Sequence, residues 1–248
     1  MLAHVAEDLS DRVGVINHYF IDAGIIAGVA GPVKATLVDS GKFTNIRIIP
    51  PPIDNDLGLA PLSFDALFSI LDLHTVNDVP GYLAQCASAL RPDGLFMCCF
   101  FAGDTLKELR DAWLQAEAAL GGVSPRVAPM VGLREMGGLL QRAGLALPVA
   151  DSDRMTFRYA NLMALLRDIK SIGYANPLAE RSKNLSSQRL LKALMEHYPL
   201  DSDGRIGASL EMFWAMAWKP HGSQQKPKLP GSATHRFEDI LKKLDNEN

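Results

Sequence analysis

Residues 21–31, Ile-Asp-Ala-Gly-Ile-Ile-Ala-Gly-Val-Ala-Gly, place one acid and three glycines within eleven positions. That spacing suits a strand-to-helix turn that cradles a nucleotide-type cofactor. In such a turn one glycine permits the tight bend, a second lets the backbone approach the ligand, and a third lets helix and strand pack closely. Asp22, Gly24 and Gly28 fit an acid-x-Gly-x-x-x-Gly frame, and Asp39 closes a run, Ala35–Asp39, that reads as a strand ending in a ribose-binding acid. A second register on Gly28 and Gly31 is open but has no acid, and a structural glycine turn without a ligand is the alternative to both. Two features mark the frame as altered. Ile26 holds the middle glycine position, where a β-branched residue resists positive φ and keeps a ligand off the backbone. Asp39 follows Asp22 by only 17 positions, whereas turn, helix and strand normally take roughly 20; Pro32 shortens the helix further.

Other chemistries lack their residues. No G-x-S-x-G elbow or G-x-x-x-x-G-K-[ST] loop occurs, and the Gly41-Lys42 pair has Thr36 where the leading glycine belongs. The six histidines (4, 18, 74, 197, 221, 235) have no metal-ligand spacing, so no metal is expected. Cys86, Cys98 and Cys99 form no C-x-x-C pair and read as buried, reduced thiols. His74 stands at the end of an apolar strand as a candidate general base, with a structural histidine as the other reading. Asp78 reads as a helix cap, with Asn77 beside it; Asp104 reads equally as a cap or a pocket acid. Arg126 is open between binding an acidic partner and lying solvated in a loop.

The elements that must position these residues alternate. A helix over 2–16 comes first, then strands at 34–40 and 45–50, the second stopped by Pro50–Pro52, and an apolar strand at 64–73. A helix follows Asp78 with Pro80 early, then a strand at 95–101, helices near 105–120 and 131–145, and two late strands in 146–159 and 209–220. A helical insertion, roughly 161–198, separates the last two strands. Such alternation argues a doubly wound, mostly parallel α/β sheet. Hydrophobic residues make up 48% and charged residues 21%, enough for a large core, and the net charge of −3 offers no basic field for nucleic acid. The most apolar run is too short to span a bilayer, and the N-terminus has no apolar signal region. A cytoplasmic protein without membrane insertion is the expectation.

Residues 64–113 resemble the class I S-adenosylmethionine-dependent methyltransferases of the biotin-synthesis type, and are more similar still to bacterial relatives of a mitochondrial complex I assembly factor regarded as a protein arginine hydroxylase. The resemblance rests on "LHTVND" (73–78), "RPDGLF" (91–96), "GDTLKELR" (103–110), "GVSPRVAP" (122–129), "LLQRAGLALPVADSDRMTFRY" (139–159) and "WKPHGSQQKP" (218–227). It covers nearly the whole chain, with an N-terminus that reads as shorter than in relatives. It implies a Rossmann-like sandwich with a seven-stranded, mostly parallel sheet, helices on both faces, a methyltransferase-like domain over 1–220 and a tail over 221–248. It further implies that Asp22, Gly24 and Gly28 face the methionine end of S-adenosylmethionine and Asp39 its ribose. Asp54, with Asn55, would lie against adenine, and Leu71 and His74 at the crevice. With the altered first motif, binding of that cofactor is expected to be weak or lost. Two function classes follow: methyl transfer to a small molecule, carrier-bound acid or protein, or a non-methylating complex I assembly factor, hydroxylase-like or purely binding, with a respiratory complex I subunit as partner.

Overall fold

The computed structural model describes residues 2–52, 54–122, 124, 126–127, 133–171, 176 and 186–224. Its elements run α1 (Leu2–Gly14), β1 (Phe20–Ile26), α2 (Gly31–Asp39), β2 (Phe43–Ile49), β3 (Phe64–Ile70), a 3-10 turn (Leu73–Thr75), α3 (Val79–Ala89) and β4 (Leu90–Phe101). Then follow α4 (Lys107–Ala118), α5 (Leu133–Arg142), β5 (Ala146–Tyr159), α6 (Leu162–Ser171), α7 (Gln188–His197) and β6 (Ile206–Trp218).

One sheet of order β2-β1-β3-β4-β6-β5 holds the domain together. β2, β1, β3 and β4 are parallel neighbours, while β6 runs antiparallel between β4 and β5. Side chains on successive strand residues point to opposite faces, so the adjacent thiols divide: Cys99 belongs to the core cluster that includes α1, α2, α4, α6 and α7, and Cys98 to the one that includes α3 and α5. All three cysteines are buried and unbridged, and burial pushes the Cys98 thiol up to about 12. The Trp214 side chain, 1% exposed, packs in the core from β6.

Two expectations are corrected. The sheet has six strands among the described residues, where seven were expected. Residues 50–63 alone join β2 to β3 and contain Pro50, Pro51, Pro52 and Pro61. The segment must carry the chain past β1 to its far side, and none of its described residues is helix or strand. The expected strand at 34–40 is helix α2. Its Thr-Leu-Val run looks strand-like locally, yet Pro32 sits in the first turn, where its fixed φ suits a helix. Val33 and Leu37, one turn apart, are its buried residues. The first parallel strand lies earlier, at 20–26, inside the segment that reads as a turn.

The cap and the insertion are as expected. Asp78 Oδ1 accepts from the Gly81 amide at 3.0 Å, and α6 and α7 lie between β5 and β6. The tail from 225 onward and the break between α6 and α7, apart from residues 176, 186 and 187, lie outside the described residues.

Candidate functional site

From β1 the chain crosses through α2 to β2 on one side, and then returns to β3 on the other. The switch point is therefore between β1 and β3, where open α/β sheets form their ligand crevice beyond the carboxyl ends of the strands. Three connections meet there: residues 27–30 after β1, Pro50–Pro52 after β2 and Leu71–Thr75 after β3. They enclose a cavity of about 170 Å³, with Leu2 of α1, Gly28, Val29, Pro51, Leu71, Asp72 and Thr75 on its walls.

Two polar lining residues, Asp72 and Thr75, belong to a connected chain that runs beneath the cavity wall. Tyr82 Oη, carried in from α3, donates to Ser69 Oγ at 2.8 Å and reaches Asp72 Oδ2 at 3.1 Å. Thr75 Oγ1 donates to the Asp72 carbonyl at 2.8 Å. Asp72 is only 2% exposed. Burial raises its carboxyl above the ordinary range against the opposing hydrogen bonds of Tyr82 and Thr75, and burial raises the Tyr82 phenol well above its own. Asp72 is thus the one ionisable side chain among the described residues that line the crevice. Sequence reasoning passed over it while naming its neighbours Leu71 and His74. Its signal is visible in retrospect: an acid interrupting the apolar run "FSILDL" at a strand's carboxyl end.

The sequence-predicted residues divide by location. Gly28 and Leu71 reach the cavity wall. Leu71 takes a left-handed φ of 53°, unusual for a leucine, while its amide donates to the Cys99 carbonyl at 2.7 Å. His74 lies in the turn beside them, its ring 5.7 Å from that of Phe101. Burial lowers its pKa to about 4, which leaves the imidazole neutral and weakly basic near pH 7.

Asp22 and Gly24 lie elsewhere, because the frame that joins them to Gly28 is a strand rather than a turn. Asp22 stands early in β1, at the opposite end of the strand from the crevice. There Arg91 Nη1 bridges it to Asp65 at 3.0 and 2.8 Å, and Asn45 Nδ2 adds a bond of 3.1 Å. The Asn45 amide, then the Arg91 guanidinium, hold the Asp22 carboxyl below its usual range. Gly24 is a packing glycine: a Cβ there would come within 2.6 Å of Leu67 Cδ2 and 2.8 Å of Ile49 Cδ1 and Phe64 Cε1.

Asp39 ends helix α2, exposed, so its place at the end of a strand is corrected. The residue that does end β2 is Ile49, 8% exposed and packed in the core with Leu57, Leu67 and Phe64. Asp54 and Asn55 are exposed in the connection after β2, and the Asn55 carbonyl accepts from Gln85 Nε2 at 2.7 Å. The register that faces the crevice is the second one, on Gly28 and Gly31, which follows β1 and opens α2.

Arg126 and Asp104 are both engaged internally. Arg126 meets the buried Glu117 at 2.6 Å and stacks over Trp113, and Asp104 pairs with Arg154 at 3.2 Å. Among the described residues no group of three or more His, Cys, Asp or Glu is placed to hold a metal ion.

Parallel strands, their crossovers and the antiparallel β5–β6 edge define a class I methyltransferase-like fold. Comparison with known proteins agrees. Residues 34–98 match the family model described as a methyltransferase domain. The YcgJ protein of Bacillus subtilis shares the fold, with a TM-score of 0.53 over 88% of this chain and 100% of that one, at 13% identity. The mitochondrial arginine-hydroxylase NDUFAF5 of Homo sapiens is 35% identical over 242 residues, 96% of this chain and 70% of that protein. That of Dictyostelium discoideum is 35% identical over 187 residues, 74% of this chain and 43% of its own. The malonyl-[acyl-carrier protein] O-methyltransferase of Xylella fastidiosa (strain M23) is 36% identical over 166 residues, 66% of this chain and 55% of that one. The chain spans about half the length of the latter two relatives. It belongs to the methyltransferase-like family that includes the NDUFAF5 arginine-hydroxylases.

Proposed function

We propose that this chain is a non-methylating member of its family, a binding factor of the assembly type whose crevice does not retain S-adenosylmethionine. One observation carries the reading: Ile49, buried in the core, stands at the end of β2 where the fold needs an acid for ribose hydroxyls. Pro50 follows it and Pro51 walls the cavity. The cavity of about 170 Å³ is smaller than the roughly 300–1,000 Å³ of small-molecule and cofactor pockets. Asp72 is its one acid among the described lining residues, and its carboxyl accepts from Tyr82 at 3.1 Å and from Thr75 at 3.5 Å. The residues present therefore do not fit the cofactor. Similarity over 96% of the chain to the human NDUFAF5 protein supports a protein partner, and the family resemblance implies a respiratory complex I subunit in the compartment where that complex is assembled.

The match of residues 34–98 to a methyltransferase domain favours the second reading, methyl transfer to a small molecule or carrier-bound acid. Calorimetric titration of the full chain with S-adenosylmethionine separates the two. The expected result is no heat of binding and no 260 nm-absorbing adenosyl ligand in the purified protein. Saturable micromolar binding establishes the second reading instead. For the partner, loss of the gene is expected to lower assembled complex I on native gels; unchanged complex I removes the assembly role.

A further inference from the structure

A larger cavity lies on the same end of the sheet but at its other edge, beyond β4. It has a volume of about 430 Å³, within the range of small-molecule pockets. Its walls come from the start of α6, the end of α7 and the segments flanking β6. β3 and β5 are three strand positions apart in the sheet, so this cavity lies at least roughly 15 Å across the sheet from the crevice at ~4.8 Å per strand. The two share no lining residue.

The wall chemistry is uneven in an informative way. Leu162, Tyr198 and Ile206 are buried behind it, and the Tyr198 hydroxyl is spent on the Gly207 carbonyl at 2.8 Å. Met163, Met195 and Leu200 line it while remaining 38%, 48% and 65% exposed. Three large apolar side chains thus converge on one opening, two of them methionines, whose flexible thioethers adapt to unbranched chains. The only charged side chain among the described lining residues is Arg167. Its neighbour Asp168 is engaged by Tyr159 Oη at 2.6 Å, and Arg167 forms no ion pair among the described residues.

We propose that this cavity binds an aliphatic carboxylate of medium chain length, its chain between Met163, Met195 and Leu200 and its carboxylate on the Arg167 guanidinium. Charge complementarity selects the head, since a guanidinium pairs with a carboxylate through two parallel hydrogen bonds. The apolar walls select the tail. The site is independent of the crevice and of the function assigned to it.

Methionine methyl spectra of the full, isotope-labelled chain test this directly. Titration with sodium decanoate is expected to shift the Met163 and Met195 signals saturably, leaving Met216, which lines a separate cavity at the opposite end of the sheet, in place. Decanol, of equal chain length but uncharged, is expected to bind about tenfold more weakly. Arg167→Gln on the exposed face of α6 is expected to weaken decanoate about tenfold, with an unchanged melting temperature. Leu200→Asp, which repels the carboxylate at the exposed rim, supplies the second variant. Shifts confined to Met216, no shift up to about 1 mM decanoate, or equal affinity in Arg167→Gln each overturn the proposal.

Discussion

Asp72 and His74 lie two positions apart at the end of β3, and burial moves their protons in opposite senses. His74 has a folded pKa of about 4 against an ordinary 6.5. Between those values the unfolded chain binds more protons, so stability is full above pH 6.5 and is lost as pH falls towards 4. The loss is on the order of 3 kcal/mol. Urea unfolding of the His74→Phe variant at pH 7 and pH 4.5 is expected to remove that part of the difference. Asp72 has its folded pKa raised by burial; its contribution is therefore present at low pH and lost as pH rises through the folded value. Asp72→Asn, neutral at every pH, is expected to raise the melting temperature more at pH 8 than at pH 4, provided Tyr82 keeps its acceptor. A fall at both pH values would show instead that the charged carboxylate is the preferred form. The glycines separate by the same measurement. Gly24→Ala forces a Cβ into Leu67, Ile49 and Phe64 and is expected to cost about 1–3 kcal/mol, whereas Gly28→Ala meets nothing within 4 Å and is expected to leave the folded chain nearly unchanged.

At the scale of elements, the helices are anchored by few but well-placed polar groups. Glu117 of α4, 6% exposed, accepts from the Ser124 amide at 2.6 Å and from Arg126 Nε at 2.7 Å. Ser124 and Arg126 are thereby held against α4, where Arg126 also covers Trp113. Removing one partner of a buried pair leaves the other uncompensated. Glu117→Ala is expected to cost on the order of 3 kcal/mol, read from denaturant midpoints, with Glu117→Gln recovering part through its remaining acceptor oxygen. Arg12 does the corresponding work for α1: it reaches Asp151 of β5 at 3.0 Å and lies over the Trp214 ring at 4.8 Å. That contact ties the first helix to the antiparallel edge of the sheet, far along the chain.

For the whole molecule, the proposed misfit of the crevice to S-adenosylmethionine is distributed rather than local. It involves the residue ending β2, the prolines that follow it, the short connection to β3 and Leu2 of α1 leaning over the crevice. A single reversion is therefore insufficient. Ile49→Asp places a carboxylate into the cluster of Leu57, Leu67 and Phe64, where an unpaired polar group costs roughly 2–7 kcal/mol. The variant is expected to lose several kcal/mol in urea unfolding, by the same burial cost, and to gain no S-adenosylmethionine binding by calorimetry. Restored micromolar binding would show that one acid is all the site lacks.

The sequence by itself determined the alternation of strand and helix, the Asp78 cap, the buried thiols, the insertion before the last strand and the family resemblance. Each depends on short-range periodicity, a capping residue at fixed spacing, or motifs read along the chain. Only the tertiary structure decided which glycine frame faces the crevice. Asp22-x-Gly24 looks like a turn because glycine and acid are turn residues locally. β1 is nonetheless a strand, since its neighbours on both sides demand one: Gly24 leaves the space that Leu67, Ile49 and Phe64 fill, and Asp22 answers Arg91, 69 positions away. The strand-like run before Asp39 is a helix for the converse reason, because Val33 and Leu37 have a core to meet one turn apart. Asp72 emerged as the crevice acid only when α3 brought Tyr82 against it. Spacing along a chain orders residues within one element, whereas which elements pack together is decided by contacts between residues distant in sequence.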